Sequence, residues 1–412
     1  MNAIWLLLGL LVLSYLGSIL VGDRAIRGFG LPSGLEYWCL GFVLGGQVLG
    51  IVSGELLESF EPLLVVGAAW IAFVAGLSYT QVGTRRIAFG RATLGVVSTL
   101  LVGAGVGCAG WFAVPWVYPA LLPERMLVSA GIAIVCCAST RQAVRWAVQR
   151  HAASGPLSDA LADFARASAL VPVFGLSVLL ALSPEPGLAD LGLWTRVGLT
   201  WGVGVSLGFV ALLLVGRGLS RDEVWGILVG TSLLSMGVAA RLGLSAIAAA
   251  FGMGLTLGVL SPRRVELMAM LRPTERAVLL PLAVLAGALL SPREAPALGW
   301  LLPLAVLSRF LGELVRGTLL WLLSRPARPA GPLVAFGLAS TGDITLACAV
   351  SIALGFDSPA AQSVLVVAAA GILAGELIGP IALRRSLERA GELGVGGPER
   401  PSIEPLPDEA RQ

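Results

Sequence analysis

Residues 138–141 read Ala-Ser-Thr-Arg, and residues 339–343 read Ala-Ser-Thr-Gly-Asp. Each run lies near the middle of a long apolar stretch. Small hydroxyl residues divert backbone groups from the helix ladder, and a charge halfway across hydrocarbon is expensive. Both runs are therefore predicted to interrupt a membrane helix. Unwound backbone at such a break exposes carbonyls and amides that can coordinate an ion. Asp343 would open the second half-helix, where a carboxylate meets the positive end of the helix dipole.

The rest of the chain supports a membrane setting. Hydrophobic residues make up 56% of the 412 residues and charged ones 13%, against about 25% charged in soluble domains. Mean hydropathy is +0.87. Apolar runs long enough to cross roughly 30 Å of hydrocarbon recur down the length, and such spans are expected to be helical because no water is there to satisfy the backbone. The alternation of a membrane β-barrel is absent. Thirteen segments are predicted, at about 3–22, 34–52, 60–79, 90–114, 125–147, 158–182, 192–216, 222–240, 243–260, 273–290, 296–323, 331–354 and 360–383. The fold class is thus all-α and polytopic. The polar stretch 384–412 reads as a disordered cytoplasmic tail.

Charge sets the orientation. With the N-terminus outside, most arginines, from Arg24 and Arg27 to Arg384, Arg385 and Arg389, fall in inner loops. Only Arg125, Arg196, Arg241 and Arg293 fall outside, as the positive-inside rule requires. The first stretch carries its charges after it rather than before it, so it reads as a span, not a cleavable signal. A multi-pass protein of the inner (plasma) membrane with a cytoplasmic C-terminus is expected.

Segment 2 and segment 9 share a pattern. Gly30-Leu31, Gly41, Leu44 and Gly45 recur with the same spacing as Gly243-Leu244, Gly254, Leu257 and Gly258. The two Ala-Ser-Thr runs are likewise seven segments apart. An odd offset inverts the second copy, so residues 1–182 and 222–383 read as an inverted repeat joined by a linker helix at 192–216, the arrangement of carriers that rock about a midplane site.

Further charges lie within spans: Asp159, Asp163 and Arg166 in segment 6, Arg309, Glu313 and Arg316 in segment 11, and Glu376 in segment 13. Arg309 and Glu313 stand one turn apart and form the easy local ion pair. Asp343 and Glu376 remain as carboxylates that could carry protons. All basic residues are arginine, so no mechanism can use lysine. The five cysteines and the single His151 suggest neither a disulfide framework nor a metal site, and no cofactor is expected. Gly105 to Gly110 fits GxGxxG, but mid-span it reads as helix packing. The lack of protease, hydrolase or ATPase motifs argues against an enzyme, and a net charge of +3 gives no sign of nucleic-acid binding.

Several phrases resemble the sodium/hydrogen exchanger, or cation/proton antiporter, superfamily: Gly28-Phe29-Gly30-Leu31-Pro32 with Tyr37, Gly41, Leu44-Gly45 and Leu49-Gly50; Phe73 to Leu77; Arg309-Phe310-Leu311-Gly312; and Gly337 to Asp343. The resemblance spans segments 2 to 13. It implies thirteen helices with two broken, crossing ones in segments 5 and 12, a moving core of segments 5, 6, 12 and 13, a homodimer, and exchange of sodium or potassium for protons. Asp343 carries over to that pattern, with the backbone and hydroxyls of Ser139, Thr140, Ser340 and Thr341. The family's acidic pair in segment 6 is replaced by Ala165-Arg166-Ala167-Ser168, with Asp163 a turn earlier, and its segment 11 lysine is absent.

Three functions fit these residues. The first is a cation/proton antiporter using Asp343, with Asp163 or Glu376 as further carboxylates and Arg141, Arg166, Arg309 and Glu313 balancing charge. The second keeps the fold but carries an anion or organic acid, because arginines outnumber carboxylates in the spans. The third is a transport-inactive scaffold or sensor.

Overall fold

The computed structural model describes residues 34–394, apart from short stretches at 80, 83–84, 87–88, 118, 184–187, 189, 216–218, 293–297 and 357. The first expected segment, the phrase at 28–32 and the tail beyond 394 lie outside the described residues.

Helices occupy every expected segment from the second to the thirteenth. In chain order they are α1 (Leu35–Leu44), a short α2 (Gly54–Ser59), α3 (Glu61–Leu77), α4 (Phe89–Val117), α5 (Arg125–Cys137), α6 (Arg141–Arg150), α7 (Pro156–Ala167), α8 (Leu170–Leu182), α9 (Leu193–Leu214), α10 (Arg221–Arg241), α11 (Ala246–Leu260), α12 (Arg264–Ala288), α13 (Leu298–Leu323), α14 (Asp343–Gly355) and α15 (Pro359–Arg389). Two 3-10 turns, Arg325–Ala330 and Pro332–Leu338, precede α14. The only strands among the described residues are Gln81–Val82 and Arg85–Arg86, a two-residue antiparallel pair.

By length and composition six described helices can cross a membrane, or seven if Pro332–Leu338 and α14 count as one bent span. The expected thirteen is therefore not reached by that measure. Segment 2 is helical only to Leu44, after which Gly50 turns the chain at φ 63°. α1, α3 and α11 are shorter apolar helices. In the other direction, α15 continues to Arg389, past the end expected at 383.

α3 and α11 are apolar on all sides, and helices of that kind belong in an interior. Leu64, Ile71, Phe73, Ala248, Phe251 and Met253 are fully buried. α4 and α9 turn Phe112, Trp111, Phe209 and Leu213 outward, as lipid-facing helices do. Small residues let backbones approach where hydrocarbon offers no hydrophobic drive between helices. A Cβ on Gly254 of α11 would strike the Phe73 carbonyl of α3, and one on Gly76 of α3 would strike the Phe251 carbonyl of α11. The α1–α12 pair repeats this arrangement: Gly41 abuts Val284, and Gly287 abuts Trp38. Gly258 against Leu77 is likewise matched by Gly45 against Ala288. The repeated glycines Gly41, Gly45, Gly254 and Gly258 are thus interface glycines. The run at Gly105–Gly110 is also packing, with Gly107 and Gly110 facing Ala133 and Ile132 of α5.

Candidate functional site

Both sequence breaks are present. α5 ends at Cys137, Ala138 and Thr140 are extended, and α6 starts at Arg141. The second break, between Leu338 and Asp343, bends its span by 62°. The first keeps α5 and α6 within one span direction, so the interruption there is of hydrogen bonding more than of axis. The two breaks touch. The Thr140 amide donates to the Ser340 carbonyl at 2.8 Å. A Cβ on Gly342 would lie 3.1 Å from both Cβ and Oγ1 of Thr140, so the small residue admits the crossing.

Helix ends leave unpaired amides and carbonyls, and side chains take them up here. Thr140 Oγ1 accepts the Gln142 amide at 3.2 Å, capping α6, and donates to Asp343 Oδ1 at 3.3 Å. Asp343 is the first residue of α14, where the dipole favours a carboxylate. Arg141 is the first residue of α6, where the dipole disfavours a cation. Two carboxylates offset that cost. Arg141 Nη2 lies 3.6 Å from Asp343 Oδ2, and the same nitrogen binds Glu275 of α12. Arg141 also donates to the Ser78 hydroxyl, and Gln142 Nε2 donates to Glu275 Oε1 at 3.1 Å. Asp343 and Glu275 are buried, at 4% and 6% exposure.

α13 braces both breaks. Arg316 donates to the Ser139 hydroxyl at 2.7 Å. Arg309 donates to the Ala339 carbonyl and, at 3.4 Å, to the Thr341 hydroxyl. The expected Arg309–Glu313 pair is not formed. Glu313 instead faces Arg316 at 3.5 Å, because the free carbonyl of the broken helix claims Arg309. Ser340 donates to the Gly375 carbonyl at 3.2 Å, which puts buried Glu376 beside the second break. Ser168 is shared across α7 and the first break: it accepts the Ser139 amide and donates to the Ala165 carbonyl.

Asp163 stands apart from this cluster. It is fully buried on α7 and held by Arg91 of α4 at 3.1 Å. Arg166, a turn later, lines a cavity of about 210 Å³ with Arg141, Arg145, Arg272, Glu275 and Ser78.

Glu275 escaped the sequence reading. Pro273 and the neighbouring arginines suggested the edge of a span, whereas α12 starts at Arg264 and carries Glu275 inside. An acidic residue within a run of four arginines, Arg263 to Arg276, was the available signal. Ser78, Gln142 and Arg91 had none.

No protein-family model and no curated protein sequence matches the chain. Solved structures do. One structure of the sodium proton antiporter MjNhaP1 from Methanocaldococcus jannaschii, at pH 8, superposes with a TM-score of 0.70 at 15% identity, over 92% of this chain and 100% of that one. An electron-microscopy structure of the same antiporter gives 0.61 at 18% identity, over 94% and 95%. The chain has the fold of a sodium/proton antiporter. With its apolar spans, that fold makes the chain a multi-pass membrane protein.

Proposed function

We propose that this chain is a secondary active transporter that exchanges a monovalent cation, sodium or potassium, for protons by alternating access. The observation that carries the reading is the charge of the triad at the crossing. Arg141 offsets only one of Asp343 and Glu275, which leaves one buried negative charge. An unbalanced charge in a low dielectric is costly, and one proton or one monovalent cation would neutralise it. Competition between the two for the same carboxylates is antiport. Thr140, Ser139, Ser340 and Thr341, with the free backbone at the breaks, are the neutral oxygens available to a dehydrated cation. Arg309 and the Glu313–Arg316 pair hold the breaks in place. Glu376 is a reserve carboxylate beside them. Asp163, tied to Arg91, is assigned a structural role.

The reciprocal glycine contacts support two inverted repeats, about 1–182 and 222–383, joined by α9. The moving part in this reading comprises α5 to α8, α14 and α15. The working unit is taken as a homodimer in the plasma membrane, with the N-terminus outside and the C-terminus cytoplasmic.

Asparagine at position 343 neither carries the negative charge nor takes up the proton. Asp343→Asn is expected to reduce pH-driven sodium and potassium exchange in proteoliposomes to background, and Glu275→Gln to do the same, while both variants remain folded. Undiminished exchange in Asp343→Asn would remove this carboxylate from the mechanism. No flux in the parent protein under any cation gradient would favour the scaffold reading.

A further inference from the structure

The cavity beside the triad carries more positive charge than the triad accounts for. Its wall holds four guanidiniums, from Arg141, Arg145, Arg166 and Arg272, and the carboxylate of Glu275. Asp343, against Arg141, adds a second carboxylate. Arg145, Arg166 and Arg272 stand outside the triad. Arg145 and Arg272 are exposed and Arg166 is half-buried, so the charged wall runs inward from solvent. Like charges on one small wall oppose each other, more so in a low dielectric.

Arg166 gives the second observation. Its Nε and Nη1 are buried, and neither meets a hydrogen-bond acceptor among the described residues. Buried donors of that kind are rare and costly when left unmet. Asp163, a turn earlier on α7, opposes Arg166 but is engaged by Arg91. Of the other lining residues, Val265, Met268 and Ala269 of α12 are apolar, and the two polar ones, Ser78 and Gln142, are engaged with Arg141 and Glu275. A guanidinium fork matches the paired oxygens of phosphate, sulfate or carboxylate.

We infer that this cavity binds one oxyanion of the phosphate class, held by Arg166 with Arg145 and Arg272. Its charge is set against the guanidiniums outside the triad and leaves the carboxylates of the triad to their own ligand. The source is either free phosphate or the headgroup of an anionic lipid, since the wall reaches the surface. Binding is independent of exchange: it is read on the resting protein, so its failure leaves the antiport proposal standing, and the converse also holds.

The test uses the full chain, stripped of lipid in an uncharged detergent. Inorganic phosphate is titrated at constant ionic strength against chloride, with calorimetry and the thermal midpoint as readouts. Saturable binding at one site per chain is expected. Arg166→Gln is expected to weaken it at least tenfold, and Arg263→Gln, at a surface arginine paired with Glu266, to leave it unchanged. If Arg166→Gln does not fold, Arg272→Gln at the exposed mouth replaces it, with the same weakening expected. Phosphatidylglycerol retained one per chain in native mass spectrometry, and lost in those variants, would identify a lipid headgroup as the source. Absence of binding by both probes, or binding that neither variant alters, would overturn the inference.

Discussion

Arg309 and Arg316 stand two turns apart on α13, and each reaches a different interrupted helix. Arg309 satisfies the carbonyl end of the second break and Arg316 the hydroxyl of the first. Both are almost wholly buried, at 1% and 0% exposure. Burying such charges is tolerable only when polar partners meet them. Among the described residues Glu313 is the carboxylate paired with Arg316, so its loss leaves that charge short of an opposite. Removing one partner of a buried pair costs about 3–5 kcal/mol. Glu313→Gln is therefore expected to lower the thermal midpoint in detergent markedly, and Glu313→Gln with Arg316→Gln to recover part of the loss. An unchanged midpoint in the single variant would mean that Arg316 is balanced elsewhere.

At the scale of elements, the glycine contacts come in exchanged pairs. Gly254 on Phe73 corresponds to Gly41 on Val284, and Gly76 on Phe251 to Gly287 on Trp38. One packing solution has been used twice, once for α3–α11 and once for α1–α12. A methyl at these places has no room, and overpacking costs about 1–3 kcal/mol. Gly254→Ala and Gly41→Ala are expected to destabilise the protein by similar amounts. Gly237→Ala on α10, where nothing lies within 4 Å, is expected to be neutral or to gain up to about 1 kcal/mol from helix propensity. Equal effects of all three would show that the close contacts do not limit packing.

For the whole molecule, the end of the described chain returns to the core. Glu392 accepts the amides of Leu157 at 2.6 Å and Ser158 at 2.7 Å, capping the N-terminus of α7, the helix that carries Asp163 and Arg166. The Ser154 amide donates to the Glu392 carbonyl at 3.1 Å, and the Gly394 amide to that of His151. Stretch 384–412, expected to be disordered, thus supplies a cap from its first residues. A lost cap costs about 0.5–2 kcal/mol, so Glu392→Ala is expected to raise hydrogen exchange at Leu157 and Ser158. His151 sits under the same strap. Partial burial and the charges of Arg384 and Arg150 push its imidazole below the ordinary value. Folding therefore favours neutral His151. That contribution is complete above pH about 6.5 and falls away as the pH drops below it, so protection at these amides is expected to weaken on acidification. Protection unaffected by Glu392→Ala would place the cap elsewhere.

Sequence alone determined the membrane setting, the approximate places of the described helices and the two breaks, because hydropathy and helix-breaking residues act over a single span and are written there in order. It also pointed to Asp343, whose glycine neighbour and mid-span position are local facts. Tertiary structure alone decided who meets whom. Asp343 joins Arg141 and Glu275 from two other helices, Asp163 goes to Arg91, and Arg309 leaves its neighbour Glu313 for a carbonyl. Buried charges in hydrocarbon take the best partner within reach, and reach is set by the crossing of helices far apart in the chain.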